Sequence, residues 1–313
     1  MEALQHIKVV AMDKTGTITK GNFVLQQIAG SLPENTLLSL AAACESGSSH
    51  PIAHSILEAA RTRALTWEQP SSLEEYSGRG IKALTQAGIL LCGSAAFLQE
   101  QGVTLQSYEL PPFGTQVLMA LKHVHVGSLL IADTVKENAG QAVAALQKHR
   151  ISAAILTGDL EQNAQAVASQ TGIAPSQVYA GLLPQEKLST LQKLRQEMGP
   201  VMFVGDGIND APVLAGADVG AAMGNGADAA IEAADVVFLT SELKAIPESV
   251  RIAKTTCRIA MQNVIFALTV KAAVMVLGLL GYASMWFAVF ADSGVAMLCV
   301  LNAIRILYTK KRN

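Results

Sequence analysis

The run Ile7-Lys8-Val9-Val10-Ala11-Met12, followed by Asp13-Lys14-Thr15-Gly16-Thr17, decides the fold. It is apolar and β-branched at Ile7, Val9 and Val10, the pattern of a strand buried in a parallel sheet. Thr15-Gly16-Thr17 reads as a tight turn. Asp13 then stands at the carboxyl end of a strand, where open α/β sheets bind ligands. A carboxylate there can attack a phosphoryl group and form an aspartyl-phosphate.

Working outward, the text changes at Asn22. Residues 35–44 and 52–64 have helical spacing, and 81–92 and 115–131 read as strands. Residues 22–125 therefore predict an inserted α+β domain. The strand–helix alternation then resumes: a strand at Val126–Ile131 ending at Asp133, a helix over 137–149, a strand at Ala153–Leu156 ending in Thr157-Gly158-Asp159, and helices over 161–171 and 185–197. A strand at Val201–Val204 ends in Gly205-Asp206-Gly207. Alternation of this kind implies a doubly wound sheet, so residues 1–21 and 126–245 form one α/β domain.

The chain has 313 residues, 15% charged and 50% apolar, with a net charge of −2. That charge argues against nucleic acid as a partner. The four cysteines, Cys44, Cys92, Cys257 and Cys299, contain no Cys-x-x-Cys and fit a reducing cytosol. No signal peptide is expected, because the first strand begins almost at once. The apolar excess lies in residues 246–313, as two segments at about 259–281 and 285–307, each long enough to span a bilayer. Arg251, Lys254 and Arg258 precede the first, and Lys310, Lys311 and Arg312 form a basic tail after the second. The positive-inside rule puts both outer ends in the cytosol, with an external turn near Tyr282-Ala283-Ser284. Lys271 lies midway along the first segment and Asp292 a third of the way into the second. Charges at such depth mark ion paths by default. The alternative is a purely structural pairing of the two.

Asp13-Lys14-Thr15-Gly16-Thr17, with Ile18-Thr19 after it, resembles the phosphorylation motif of P-type ATPases, ion pumps built on a haloacid-dehalogenase-like domain. Gly205-Asp206-Gly207-Ile208-Asn209-Asp210-Ala211-Pro212 resembles that family's hinge motif. Leu183-Pro184-Gln185-Glu186-Lys187 resembles its Pro-x-x-Lys segment, and Asp133 with Lys136 its second hinge. The resemblance implies roles for these positions. Asp13 is the nucleophile. Asp13, the Thr15 carbonyl and Asp206 hold Mg²⁺, with Asp210 in support. Thr157, Gly158, Asp159 and Asn209 meet phosphate or nucleotide, and Lys187 neutralises the transferring phosphoryl group. Leu160 departs from the family, which carries Asn after Thr-Gly-Asp. Soluble phosphatases of the superfamily place a general acid–base Asp two residues after the nucleophile. Here Thr15 occupies that position, so a phosphoenzyme should persist.

Glu45, Ser49-His50-Pro51 and Gly78-Arg79-Gly80 resemble the nucleotide-binding domain of the heavy-metal branch, which implies ATP at Glu45, His50, Gly78 and Gly80. Gly93-Ser94 departs from the Gly-Asn common there. Asp292-Ser293-Gly294 with Asn302-Ala303-Ile304-Arg305 resembles the last helix of the zinc/cadmium/lead exporters. This implies Asp292 as ligand of the transported metal and Lys271 as counter-ion. The Tyr-Asn and Met/Ser-Ser signatures of copper exporters do not occur in these segments. The resemblance also implies further helices and an actuator domain, for which these residues carry no motif. The expectation is therefore a C-terminal part of a pump with cytosolic catalytic domains, working with a separately encoded N-terminal half or standing as a truncated product. Two alternatives stay open: a nucleotide-binding remnant and a phosphatase of the same superfamily.

Overall fold

The computed structural model describes residues 1–308 apart from Pro112, Ile208, Asn209, Asn225, Gly226 and Ala283. The Asn209 expectation, the middle of the 282–284 turn and the basic tail lie outside the described residues. The chain divides into two compact units, one comprising Met1–Met12, Asn138–Ala154 and Leu183 onward, the other Asp13–Glu137 and Ile155–Leu182.

The first unit opens with helix α1 (Glu2–His6) and strand β1 (Val9–Met12). The second holds an antiparallel sheet of β2 (Thr19–Gly30), β3 (Ser72–Tyr76), β4 (Gly80–Thr85), β5 (Gly88–Gly93), β6 (Thr115–Leu121) and β7 (Val124–Val135), in the order β2-β7-β6-β5-β4-β3. Helices α2 (Glu34–Glu45) and α3 (Pro51–Thr62) cover it, and α4 (Ala95–Glu100) follows β5. Leu37, Leu38 and Ile56 from the helices meet Leu90, Met119, Leu129 and Ile131 from the strands in one buried core.

Helix α5 (Ala139–Lys148) and β8 (Ser152–Leu156) come next, and the division between units falls within β8. Then come α6 (Glu161–Thr171), β9 (Val178–Tyr179), α7 (Pro184–Met198), β10 (Val201–Gly205), α8 (Ala211–Gly216), β11 (Val219–Met223), α9 (Asp228–Ala233) and β12 (Val236–Phe238). The parallel sheet has the order β12-β11-β10-β1-β8-β9. Strand order reverses around β1, and that switch point is where doubly wound sheets bind ligands. Val9, Val10, Ala11 and Val201–Val204 are completely buried, the reason their sequence reads as unbroken apolar runs.

One expectation is corrected. The run 126–131 does not resume the parallel sheet. It lies in β7, antiparallel to β2 and β6, with Leu25 opposite Ile131 and Val117 opposite Leu129. β7 is an inner strand of a covered sheet and is buried on both faces over most of its length. Its apolar run is therefore indistinguishable by pattern from a parallel strand.

The chain closes with α10 (Ala245–Leu279), α11 (Met285–Val289), a wide π-type turn over Phe290–Gly294 and α12 (Val295–Tyr308). Two helical stretches, Ala245–Leu279 and Met285–Leu307, are long and apolar enough to cross a membrane. The first expected span is only the distal part of α10. Its basic approach, Arg251–Arg258, belongs to the same helix, whose Ile246, Val250 and Ala253 are buried.

Candidate active site

Asp13 is one peptide bond beyond β1, and it is buried. Met12 pairs with Val204 of β10, so β10 delivers Gly205 and Asp206 to the sheet edge at which Asp13 leaves β1. Among the described residues, Asp13, Asp206 and Asp210 form the acidic group able to hold a metal ion. A Cβ on Gly205 would lie 2.8 Å from Asp210 Oδ2, so only glycine lets that carboxylate pack against the strand end. Lys187, in the first turn of α7, donates to Asp210 Oδ1 at 2.9 Å, and both side chains are buried. Pro184 sits in the same turn, and Glu186 accepts from the Leu183 backbone N–H at 2.8 Å, which fixes the helix start that carries Lys187.

In the second unit, the buried Lys14 side chain forms an ion pair with the partly exposed Asp159. Thr157 is buried at the end of β8, and its hydroxyl accepts from the Asp159 backbone N–H at 3.2 Å. Thr157 also accepts from Leu182 N–H at 3.0 Å through its carbonyl, which anchors the Thr157-Gly158-Asp159 turn. The loop after Asp13 is pinned from β7 and its extension. Thr19 donates its hydroxyl to Asp133 and to the Lys14 carbonyl, Asn22 N–H donates to Asp133 at 3.0 Å, and Lys136 Nζ donates to the Gly16 carbonyl at 2.7 Å. Thr17 Oγ1 is buried with no hydrogen-bond partner among the described residues. Lys14, Thr15, Gly158 and Asp159 line a cavity of about 420 Å³ together with Gly114 and Asn163, which are joined at 2.6 Å.

A second cavity, of about 200 Å³, gathers the four nucleotide residues expected on the inserted domain, Glu45, His50, Gly78 and Gly80, whereas Asp159 lines the first. His50 caps α3, its Nδ1 accepting from Ile52 N–H at 3.2 Å. That bond places the ring proton on Nε2. Gly78 turns the chain at φ +70, with open space where a Cβ would point. Burial pushes the Glu45 carboxyl up to about 7, and the charge of Glu75 acts in the same direction. Glu75, Arg79 and Thr115 also line this cavity. Sequence reading named Arg79 only within the Gly78-Arg79-Gly80 turn and missed Glu75 and Thr115, because the pairing of β3 to β6 is what brings them together.

Between the spans, Lys271 Nζ lies 3.3 Å from Asp292 Oδ1. The pairing considered from sequence is formed, and Asp292 sits inside the π-type turn.

A family model described as haloacid dehalogenase-like hydrolase matches residues 7–218. The chain belongs to that family. Within these hydrolases it is similar to heavy-metal P-type ATPases along its whole length. The cadmium, zinc and cobalt-transporting ATPase of Bacillus subtilis (strain 168) is 44% identical over 321 residues, which cover 100% of this chain and 45% of the relative. The zinc-transporting ATPase of Synechocystis sp. is 42% identical, covering 98% and 43%. The crystal structure of a zinc-transporting PIB-type ATPase in the E2.Pi state matches at a TM-score of 0.88 and 33% identity, covering 98% of this chain and 51% of that one. The hydrolase chain thus spans about half the length of the relatives it matches.

Proposed function

We propose that this chain is the catalytic part, with two membrane helices, of an ATP-driven exporter of divalent heavy-metal ions, and that Asp13 is its phosphorylated residue. The observation that carries this reading is the convergence of Glu45, His50, Gly78 and Gly80 on one cavity. A phosphatase has no need of a nucleoside site on an inserted domain. His50 Nε2 donates to or stacks on adenine, and a Glu45 carboxyl oxygen accepts from its amino group. An Asp13 carboxylate oxygen then attacks the γ-phosphorus. The new P–O bond forms as the bond to the bridging oxygen breaks, and ADP leaves with that electron pair. Lys187 holds positive charge beside the phosphoryl oxygens, where positioning and electrostatics do most of the work. Thr157 and Gly158 offer a hydroxyl and a backbone amide. Thr15 cannot deprotonate water as an Asp would, so the acyl-phosphate persists long enough to couple to movement.

Asp13, Asp206 and the Thr15 carbonyl, with Asp210 behind them, are hard oxygen donors suited to Mg²⁺. When bound there, the ion neutralises phosphate charge.

For the cargo, Asp292 supplies carboxylate oxygens and Lys271 an internal cation that competes for them. Carboxylate chemistry fits Zn²⁺ better than Cu⁺. The Lys271 and Asp292 side chains are 59% and 78% exposed in this chain. Charges so placed in a bilayer are costly unless other helices cover them, which supports a further membrane half as partner. The catalytic units then lie on the cytosolic side.

Incubation with γ-labelled ATP and Mg²⁺ beside Asp13→Asn tests the reading. Acid-stable, hydroxylamine-labile label on the parent alone is the expected result. Bound ATP with no label would overturn autonomous phosphorylation and leave a nucleotide-binding fragment.

A further inference from the structure

A chain of polar contacts joins the two spans well away from Asp292. Arg305 Nη1 donates to Asn302 Oδ1 at 2.9 Å. Asn302 Nδ2 donates to Asn263 Oδ1 at 2.8 Å, and Asn263 Nδ2 donates to the Cys299 carbonyl at 3.0 Å. The Cys299 thiol returns a contact to the Asn263 carbonyl at 3.7 Å. Each amide accepts on one side and donates on the other, so the relay has one direction and one fit.

Asn263 and Lys271 are both on α10, eight residues apart and therefore about 12 Å along the axis. Asp292 precedes Cys299 by seven residues and Asn302 by ten, about 10–15 Å at helical rise. In an antiparallel pair these offsets match, so the amide contacts and the ion pair belong to a single register. Asp292 itself lies in the π-type turn at Phe290–Gly294, which widens the helix locally. A Cβ on Gly294 would lie 2.7 Å from the Phe290 ring, so the turn closes on a glycine. Apolar surface gives no register between helices in lipid, whereas amide-to-amide hydrogen bonds do.

We infer that Asn263 and Asn302 form a side-chain clasp that sets the register of the two spans and thereby positions Lys271 against Asp292. Both are positioning residues. The clasp holds the site at which a divalent cation would displace the lysine, and in that respect the inference rests on the proposed function. The geometry itself needs neither ATP nor metal.

The test is a distance between ¹⁵Nζ of Lys271 and ¹³Cγ of Asp292, read by dipolar recoupling on the full chain in lipid bilayers without nucleotide or metal. The parent should show the contact. Asn263→Leu and Asn302→Leu should each weaken it at least fivefold while helix content and bilayer insertion stay unchanged. Asn302→Asp should also weaken it, because its carboxylate still accepts from Arg305 but has no N–H to donate to Asn263 Oδ1. If a leucine variant fails to insert, Asn263→Ala and Asn302→Ala decide by the same criterion. An undiminished contact in the variants, or none in the parent, overturns the inference. A failed phosphorylation assay would leave it standing.

Discussion

Lys187 donates to Asp210 across 2.9 Å with both side chains buried. A buried pair adds little net stability when intact, but removing one partner strands the other charge. Lys187→Ala should therefore destabilise the first unit by about 3–5 kcal/mol. The double variant Lys187→Ala/Asp210→Asn should recover most of that loss and no phosphorylation. Hydrogen exchange of β10 amides reads the stability, and labelled ATP reads the chemistry. Recovered labelling would show that Lys187 only shields Asp210.

Glu45 gives the second unit a pH dependence. Its carboxyl is raised to about 7 by burial and by Glu75, against 4.5 when unperturbed. Below 4.5 both folded and unfolded forms hold the proton. Between 4.5 and 7 the unfolded form has released it and the folded form has not, so stability falls as pH rises. The loss should reach about 3 kcal/mol by pH 8. Glu45→Gln should flatten that slope, seen as β4 and β5 exchange protection measured from pH 5 to 8. An equal slope in the variant would remove Glu45 as the cause.

The parallel sheet was legible because buried parallel strands are written as unbroken apolar runs, each ending at a small or polar residue: Met12 before Asp13, Leu156 before Thr157, Val204 before Gly205. The same rule misplaced β7, since an inner antiparallel strand under helices looks identical. Glu45, His50, Gly78 and Gly80 were found through a family pattern, and they do share a cavity. Glu75 gave no signal, and the Arg79 side chain none beyond its place in the Gly78-Arg79-Gly80 turn, because both reach that cavity only after β3 pairs with β4. The π-type turn at Asp292 was invisible for another reason. Widening one turn leaves the apolar run unbroken.

Two glycines of the second cavity, the proposed nucleotide site, should behave differently. Gly78 has φ +70 and open space around its Cβ position, so Gly78→Ala meets only backbone strain of about 1–2 kcal/mol. A Cβ on Gly80 would lie 2.5 Å from both the Cys92 carbonyl oxygen and the Phe97 ring. Gly80→Ala must separate β4 from β5 and should cost distinctly more. Calorimetric ATP binding with β5 exchange protection separates the two: Gly78→Ala should keep the protection and weaken binding modestly, and Gly80→Ala should lose both. Equal effects would mean that strand spacing does not govern the cavity.

Thr17 is the sharpest case of a group that the fold leaves waiting. Its hydroxyl is fully buried without a partner among the described residues, which costs about 1–3 kcal/mol. Thr17→Val has nearly the same shape and removes the unsatisfied group, so the loop should be as stable as the parent or more so. If the hydroxyl is kept for a phosphoryl oxygen, the same change should cut the phosphoenzyme level at least tenfold. Such a loss, together with unchanged or increased exchange protection at Ile18 and Thr19, would identify Thr17 as a phosphate contact. Full labelling in the valine variant would show that the orphan hydroxyl has no part in the chemistry.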